Sequence, residues 1–427
     1  MTHAAVTSQS PPMTDTDAES ITPEQFEVMV RSFFDANAPK RSEEKFVWGE
    51  GTDQVGLFAE RTPEQDAADL AVARSWAQTV FDAGFGWITG PPAYGGRGLP
   101  RDYQKIFSAV ASGYKTPSMS AYGIGLGMVA PTILDHATEE VRKAYLARMY
   151  RGDIVGCQLF SEPSAGSDLA SLQTKAVRDG DEWIINGQKV WTSGAQHSDI
   201  GEIICRTDPD LPKHRGLTGF VIDMHAPGVE VRPLRQMTGG ASFNEVFFTD
   251  VRVPDSHRLG EVNGGWTVAL TTLMNERAAI GGGGGGLGLP TSRRLVELAR
   301  TRGRSGDPLI RQQLATVIIN ERVAGYINLR AMAKIAIGQL PGPEMSLGKL
   351  SLTSNMVRTC ELLSSMLGPS LVADTGAWGT YAWSQYLLGV PGIRIAGGSD
   401  EVMRNIIGER VLGLPKDPVP NEAPAPA

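Results

Sequence analysis

A change of period near Ile154 constrains this chain more than any other feature. Upstream, apolar residues recur at helical spacing: Phe26, Val30, Phe33 and Phe34, then Leu70, Val72, Ala73 and Trp76. A helix start follows at Thr138-Glu139-Glu140. Downstream, Val177–Trp191 holds an Asp-Gly and an Asn-Gly between apolar stretches. These dipeptides predict successive β-hairpins, because two-residue primed turns need positive φ. Strand-like runs continue at Glu202–Cys205, Gly219–Asp223, Val229–Val231 and Asn244–Phe248, and Pro254 closes this part. From Gly264 the pattern predicts long helices again, over roughly 266–300, 309–338, 344–367 and 400–412. The chain therefore reads as mixed α and β, predominantly α. An N-terminal helical domain is expected over 21–152, a central β-barrel-like domain over 153–263 and a C-terminal four-helix bundle over 264–414. Polar, turn-rich tails are expected at 1–20 and 415–427.

Charge and cysteine usage remove several function classes. The formal net charge is −7 and the pI about 5.5, which argues against a nucleic-acid partner. Cys157, Cys205 and Cys360 lie far apart, so neither a disulfide framework nor a zinc site is expected, and a reducing compartment fits. The six His show no metal-ligand spacing. No signal peptide and no long apolar run is read, so no membrane partner is expected and the cytoplasm is the default location. Gly123–Gly127 and the run Gly281–Gly286 imitate dinucleotide loops, but neither follows a strand inside a βαβ unit.

The chemistry concentrates in two linked motifs. Cys157–Asp168 carries Phe160-Ser161-Glu162-Pro163-Ser164-Ala165-Gly166-Ser167-Asp168, and Trp191-Thr192-Ser193-Gly194 follows after both hairpin signals. Taken alone, the first run reads equally well as a tight turn. With the Trp and its flanking hydroxyls it suits a flat aromatic cofactor: a close backbone, polar ring contacts and an indole to pack on the ring. The pair resembles the signature of the acyl-CoA dehydrogenase family, whose members bind FAD without a Rossmann motif.

The resemblance extends over about residues 22–414. It implies that Phe160, Ser161, Gly166 and Ser167 line the flavin and the acyl-CoA entrance. It also sets Trp191, Thr192 and Ser193 against the isoalloxazine. Arg302, with Ser305-Gly306, stands at the family's Arg-x-x-Phe-Gly, where the Arg reaches the FAD diphosphate of a neighbouring subunit, and Gln312 matches the Gln that follows. Ser305 replaces the Phe. Arg394–Asn405 is similar to the family's C-terminal motif, with Gly398, Ser399, Glu401 and Arg404 in register. Gly397 then occupies the usual position of the catalytic Glu, and glycine takes no proton. Some family members place the base on a helix after the β-domain, beside an Arg, and that pair is Glu276-Arg277 here.

The resemblance thus implies α,β-dehydrogenation of an acyl-CoA with FAD as acceptor and Glu276 as base. It further implies an electron-transfer flavoprotein as partner and a dimer or tetramer, homomeric or heteromeric. Two alternatives stay open: a flavin-dependent N- or S-monooxygenase of the same fold, with which Gly397 is compatible, or one subunit of a heteromeric dehydrogenase, which the reduced aromatic content around Arg302 fits.

Overall fold

The computed structural model describes residues 21–42, 47–55, 57–58, 61–281, 292–336 and 342–416. The expected tail 1–20, nearly all of the tail 415–427 and the glycines after Gly281 lie outside the described residues. The first helices are α1 (Pro23–Asn37), α2 (Pro63–Asp82), α3 (Arg101–Ala111), α4 (Ala130–His136) and α5 (Glu139–Arg151). α1 and α2 begin alike, on Thr22 and Thr62. Each Thr hydroxyl accepts from the backbone N–H of a Gln three residues on, and that Gln reaches back to the Thr N–H. Each box satisfies two otherwise orphaned donors, an effect of about 1 kcal/mol. α5 starts on Thr138, as its sequence predicts, and stops at Gly152, whose φ is 85°. Phe26, Val30 and Phe34 of α1 are buried in one cluster with Phe85, Val110 and Tyr114.

The middle of the chain forms one sheet: β1 (Gly156–Leu159), β2 (Lys175–Asp179), β3 (Glu182–Ser193), β4 (Ile200–Arg206), β5 (Leu217–Asp223), β6 (Val229–Leu234), β7 (Phe243–Pro254) and β8 (Arg258–Leu259). The strand order is β6-β7-β3-β2-β4-β5-β8, with β1 parallel to β4. The Asp179-Gly180 signal does mark the β2–β3 turn, whose two linking residues are Gly180 and Asp181. Asn186-Gly187 does not: it lies inside β3, where the register against β7 shifts. The Asn186 side chain exchanges hydrogen bonds with Asp250 on β7, and a Cβ on Gly187 would stand 2.4 Å from the Thr174 hydroxyl. Close packing uses this glycine as a bulge instead of a turn. On β4, Ile200 and Ile204 enter a core shared with Ile133 of α4, and Ile203 and Cys205 enter the core on the opposite face.

The C-terminal part holds α6 (Gly265–Gly281), α7 (Ser292–Thr301), α8 (Pro308–Ala336), α9 (Met345–Leu367), α10 (Ala382–Ile395) and α11 (Asp400–Ile406). α9 is central and packs against α6, α8, α10 and α11. Of the helix expected over 266–300, α6 and α7 are described and 282–291 lie outside the described residues. One feature departs from the sequence reading: α10 was not expected at all. Gly389, Pro391 and Gly392 hide it, while buried Trp383 and Tyr386 hold it in place. The glycines make room for another segment. A Cβ on Gly389 would lie 3.2 Å from Leu57, and one on Gly392 would lie 3.5 Å from Phe58. Val55 and Leu57, from the first third of the chain, thereby enter the core of the last.

Candidate active site

The loop 160–168 and the end of β3 are built as one unit. The Val190 N–H donates to the Ser161 carbonyl at 2.8 Å. Beneath them, Lys189 is completely buried, and its Nζ donates to the Phe160 carbonyl (3.0 Å) and to Glu162 Oε1 (2.9 Å). Glu162 also accepts from the backbone N–H groups of Gln173 and Thr174. Burial opposes ionisation of Glu162, but the Lys189 ammonium and these donors outweigh it and hold the carboxyl below its ordinary range. A buried ion pair with its other lone pairs satisfied thus fixes the loop to the strand. Gly166 and Ser167 are exposed at the loop's crest, and Ser161 is half-buried. The Phe160 ring packs into the core, and its carbonyl is taken by the buried Lys189 ammonium.

Trp191 sits on this platform at φ 62°, a left-handed conformation that costs a bulky residue about 1–2 kcal/mol. The β3–β7 register breaks between Lys189 and Thr192, and the bulge turns the indole outward, 61% exposed. Its edge meets Phe243 at 6.0 Å, and Phe243 meets Phe58 at 5.4 Å. Thr192 turns inward instead and is buried. Its carbonyl accepts from Asn244 Nδ2 at 3.1 Å. Thr192 Oγ1 and Asn244 Oδ1 are both buried without a hydrogen-bond partner. Ser193 ends the strand half-buried. An outward indole held under strain beside unsatisfied polar atoms fits a flat, heteroatom-edged ring, as the FAD expectation requires.

The other expected residues lie on the C-terminal helices. Arg302 follows α7, and its Nη2 is buried without a partner, as an anion-binding fork awaiting its ligand would be. Gln312 is exposed on α8. Gly397 (φ 65°) and Gly398 (φ 91°) form a left-handed turn before α11. Ser399 caps α11 by accepting from the Val402 N–H. Glu401 is exposed and faces Arg404 at 3.6 Å, while its neighbour Asp400 is buried. Asp400 accepts from Arg394 Nε (2.8 Å) and the Thr353 hydroxyl (2.7 Å). The Lys349 ammonium of α9 donates to the carbonyls of Arg394 and Gly398. This network, which the sequence motifs did not reveal, ties the glycine turn to α9.

Glu276 is half-buried on α6, and the Arg277 side chain lies outside the described residues. One turn before Glu276, the Thr272 hydroxyl donates to Glu202 Oε1 of β4 at 2.6 Å and lies 2.9 Å from the Thr132 hydroxyl of α4. Glu202 is wholly buried and its Oε2 has no partner. Burial pushes its carboxyl up to about 8, against a small opposing effect of the Thr272 hydrogen bond. Its sequence context, a strand-like run, gave no sign of this role. No cluster of His, Cys, Asp and Glu among the described residues suits a metal ion.

Comparison with known proteins assigns the family and the fold. Acyl-CoA dehydrogenase N-terminal, middle and C-terminal domain families match residues 52–153, 157–251 and 263–412. The chain belongs to the acyl-CoA dehydrogenase family. Members of this family are FAD-dependent oxidoreductases acting on CH–CH bonds. Acyl-CoA dehydrogenase IpdE1 of Mycobacterium tuberculosis is 36% identical over 352 residues, 81% of this chain and 88% of the relative. Acyl-CoA dehydrogenase FadE34 of the same organism is 42% identical over 289 residues, 67% of this chain but only 39% of FadE34. A solved structure described as a Tcur3481-Tcur3483 steroid ACAD superposes with a TM-score of 0.70 at 27% identity, covering 94% of this chain and 100% of that one. The acyl-CoA dehydrogenase fold expected from the sequence is therefore the fold observed.

Proposed function

We propose that this protein dehydrogenates an acyl-CoA thioester between its α and β carbons, with Glu276 as the base. The observation that carries the choice of base is the pairing of a side-chain-less, left-handed turn at Gly397 with a half-buried carboxylate at Glu276. The loop 160–168, Trp191, Thr192 and Ser193 would hold the flavin ring, and Arg302 the diphosphate of FAD in a neighbouring subunit. FAD bound there accepts the hydride that leaves the β-carbon. The thioester acidifies the α-proton, Glu276 takes it, and the product is a trans-2-enoyl-CoA. The outward indole would offer the flavin ring an aromatic surface to pack on.

A bulky or branched acyl chain, including a steroid-derived one, fits the missing side chain at Gly397 and the steroid description of the solved relative. An assembly of more than one chain is favoured by apolar side chains exposed along α8, where Ile319, Val323, Tyr326 and Leu329 recur at helical spacing. That relative bears two component names, so a heteromer belongs with this reading. An electron-transfer flavoprotein as oxidant and a cytoplasmic location complete it. No helix among the described residues is long and apolar enough to cross a membrane.

The test is anaerobic mixing of the purified flavoprotein with octanoyl-CoA, isovaleryl-CoA and a steroid-side-chain acyl-CoA. Bleaching of the flavin band in wild type, lost in Glu276→Gln with FAD retained, supports both assignments. Bleaching in both proteins moves the base elsewhere. No bleaching of wild type, with oxygen uptake on an amine or sulfide, turns the reading to a monooxygenase.

A further inference from the structure

Glu202 stands where an apolar residue would be expected. It lies between Ile200 and Ile204 on the face of β4 that enters the core shared with α4 and α6. Its cross-strand neighbours are Gln158 on β1 and Val221 on β5, neither of them charged. The titratable groups on the packed helices are Asp135 and His136 of α4, the latter hydrogen-bonded to the Thr271 hydroxyl at 2.8 Å, and Glu276 and Arg277 of α6. Among the described residues no cation pairs with Glu202. A carboxyl buried this way weakens the fold relative to a Val or Leu of matching shape. What it supplies is direction. Val268 and Ala269 share a buried apolar cluster with Ile204 and Val221, which resists separation of α6 from the sheet, but apolar contact is non-directional and resists sliding or rotation poorly.

We infer that Glu202 is a positioning residue for α6: through Thr272 it fixes to the sheet, and through Thr132 to the N-terminal helices, the helix that carries Glu276. One chain of donation links the three groups: the Thr132 hydroxyl donates to Thr272, and the Thr272 hydroxyl donates to Glu202 Oε1, leaving Glu202 Oε2 without a partner. Each hydroxyl proton is used once. Three separate parts of the chain then meet at Thr272, a single turn before Glu276. This inference rests on Glu276 being the base, since the register of α6 matters to the reaction only through that side chain.

The experiment compares Glu202→Met, Glu202→Gln, Thr272→Val, the double variant Glu202→Met/Thr272→Val and Glu276→Gln as loaded flavoproteins. Steady-state turnover of octanoyl-CoA, isovaleryl-CoA and a steroid-side-chain acyl-CoA, with ferrocenium as the electron acceptor, gives kcat and KM. Hydrogen exchange over residues 265–276 reports the helix without any substrate. Met at 202 should lower kcat on the order of tenfold or more, with KM nearly unchanged, because misplacing a reacting group by about 1 Å is worth up to about 100-fold. Gln keeps the acceptor and should restore kcat to within about twofold and normal exchange. Thr272→Val should match Glu202→Met, and the double variant should be no worse than either, as for two ends of one interaction. Wild-type kcat and wild-type exchange in Glu202→Met overturn the inference, as do equal defects in Met and Gln or multiplying defects in the double variant. If Glu276→Gln keeps wild-type kcat, the base assignment fails on its own, while hydrogen exchange and the double variant still judge the positioning of α6.

Discussion

Two glutamates, forty residues apart in sequence, are buried in opposite electrical states. Glu162 lies under the loop 160–168 and the end of β3 with an ammonium and two backbone donors around it, and it stays ionised. Glu202 lies at the junction of α4, β4 and α6 with one hydroxyl and no cation, and it keeps its proton through neutral pH. Both are buried glutamates, Glu202 the more deeply, and the presence or absence of a cation sets the direction. The platform is thus held by charge, and the helix bearing the proposed base is held by a neutral hydrogen bond. The first arrangement is strong and rigid. The second is weaker but directional, as a helix that must keep its register requires.

The comparison breaks most visibly at Lys189. Replacing Lys189 with Met leaves Glu162 charged, buried and unpaired, and should destabilise the protein by about 3–5 kcal/mol. The double variant Glu162→Gln/Lys189→Met should recover a large part of that loss in chemical denaturation. Equal stability of single and double variants would mean that the pair is not coupled.

The pH dependence of stability should separate the two sites next. For Glu202 the folded value, about 8, lies above the ordinary 4.5. The native state therefore holds a proton that the unfolded chain releases, and stability falls as pH rises from about 4.5 to about 8. Glu202→Gln should remove that slope, an effect of a few kcal/mol across the window. Glu162 has the opposite sign: its contribution is present above about pH 4.5 and is lost as pH falls further. Urea midpoints of wild type and Glu202→Gln at pH 5 and pH 8 decide this. A wild-type slope that survives in Glu202→Gln belongs to another group.

Asp400 offers an intermediate case. Burial opposes its charge, but Arg394, Thr353 and Lys349 hold its carboxyl below the ordinary value. Lys349 has two carbonyl acceptors besides, so it is not stranded when the carboxylate goes. Asp400→Asn should therefore cost less than Lys189→Met, about 1–3 kcal/mol in the same denaturation assay. A cost as large as that of Lys189→Met would mean that the two carbonyls do not compensate the ammonium.

These groups also mark where the sequence could be read and where it could not. The loop 160–168 and the Trp191 strand were legible because turn residues and hydroxyls act locally, within a few residues of the chain. Lys189 was not, since it follows an Asn-Gly and looks like any surface lysine until β3 is wound onto the loop. In the C-terminal motif the resemblance pointed to Glu401, whereas the rotation of α11 buries Asp400 and exposes Glu401. One residue on a helix is a turn of 100°, and spacing alone does not give the absolute rotation. α10 was hidden by Gly389, Pro391 and Gly392, which are placed for Leu57 and Phe58 more than three hundred residues away in sequence. Glu202 was invisible for the same reason: its partners, Thr132 and Thr272, come from two other parts of the chain.

The smallest effect expected on stability falls on the most exposed part of the site. Trp191 makes little buried contact, and its φ of 62° is unfavourable for any residue but glycine. Trp191→Gly should relieve about 1 kcal/mol of backbone strain and lose about as much in chain entropy, so thermal stability of the apoprotein should hardly move. Affinity for FAD should fall by an order of magnitude or more, read as retention of the yellow chromophore through gel filtration, because the ring site loses its aromatic face. Trp191→Phe should fall between the two in retention. If Trp191→Gly instead unfolds the apoprotein, the indole is part of the core and the strain at 191 is structural. If it leaves both stability and FAD retention unchanged, the platform held by Glu162 and Lys189 carries something other than the flavin.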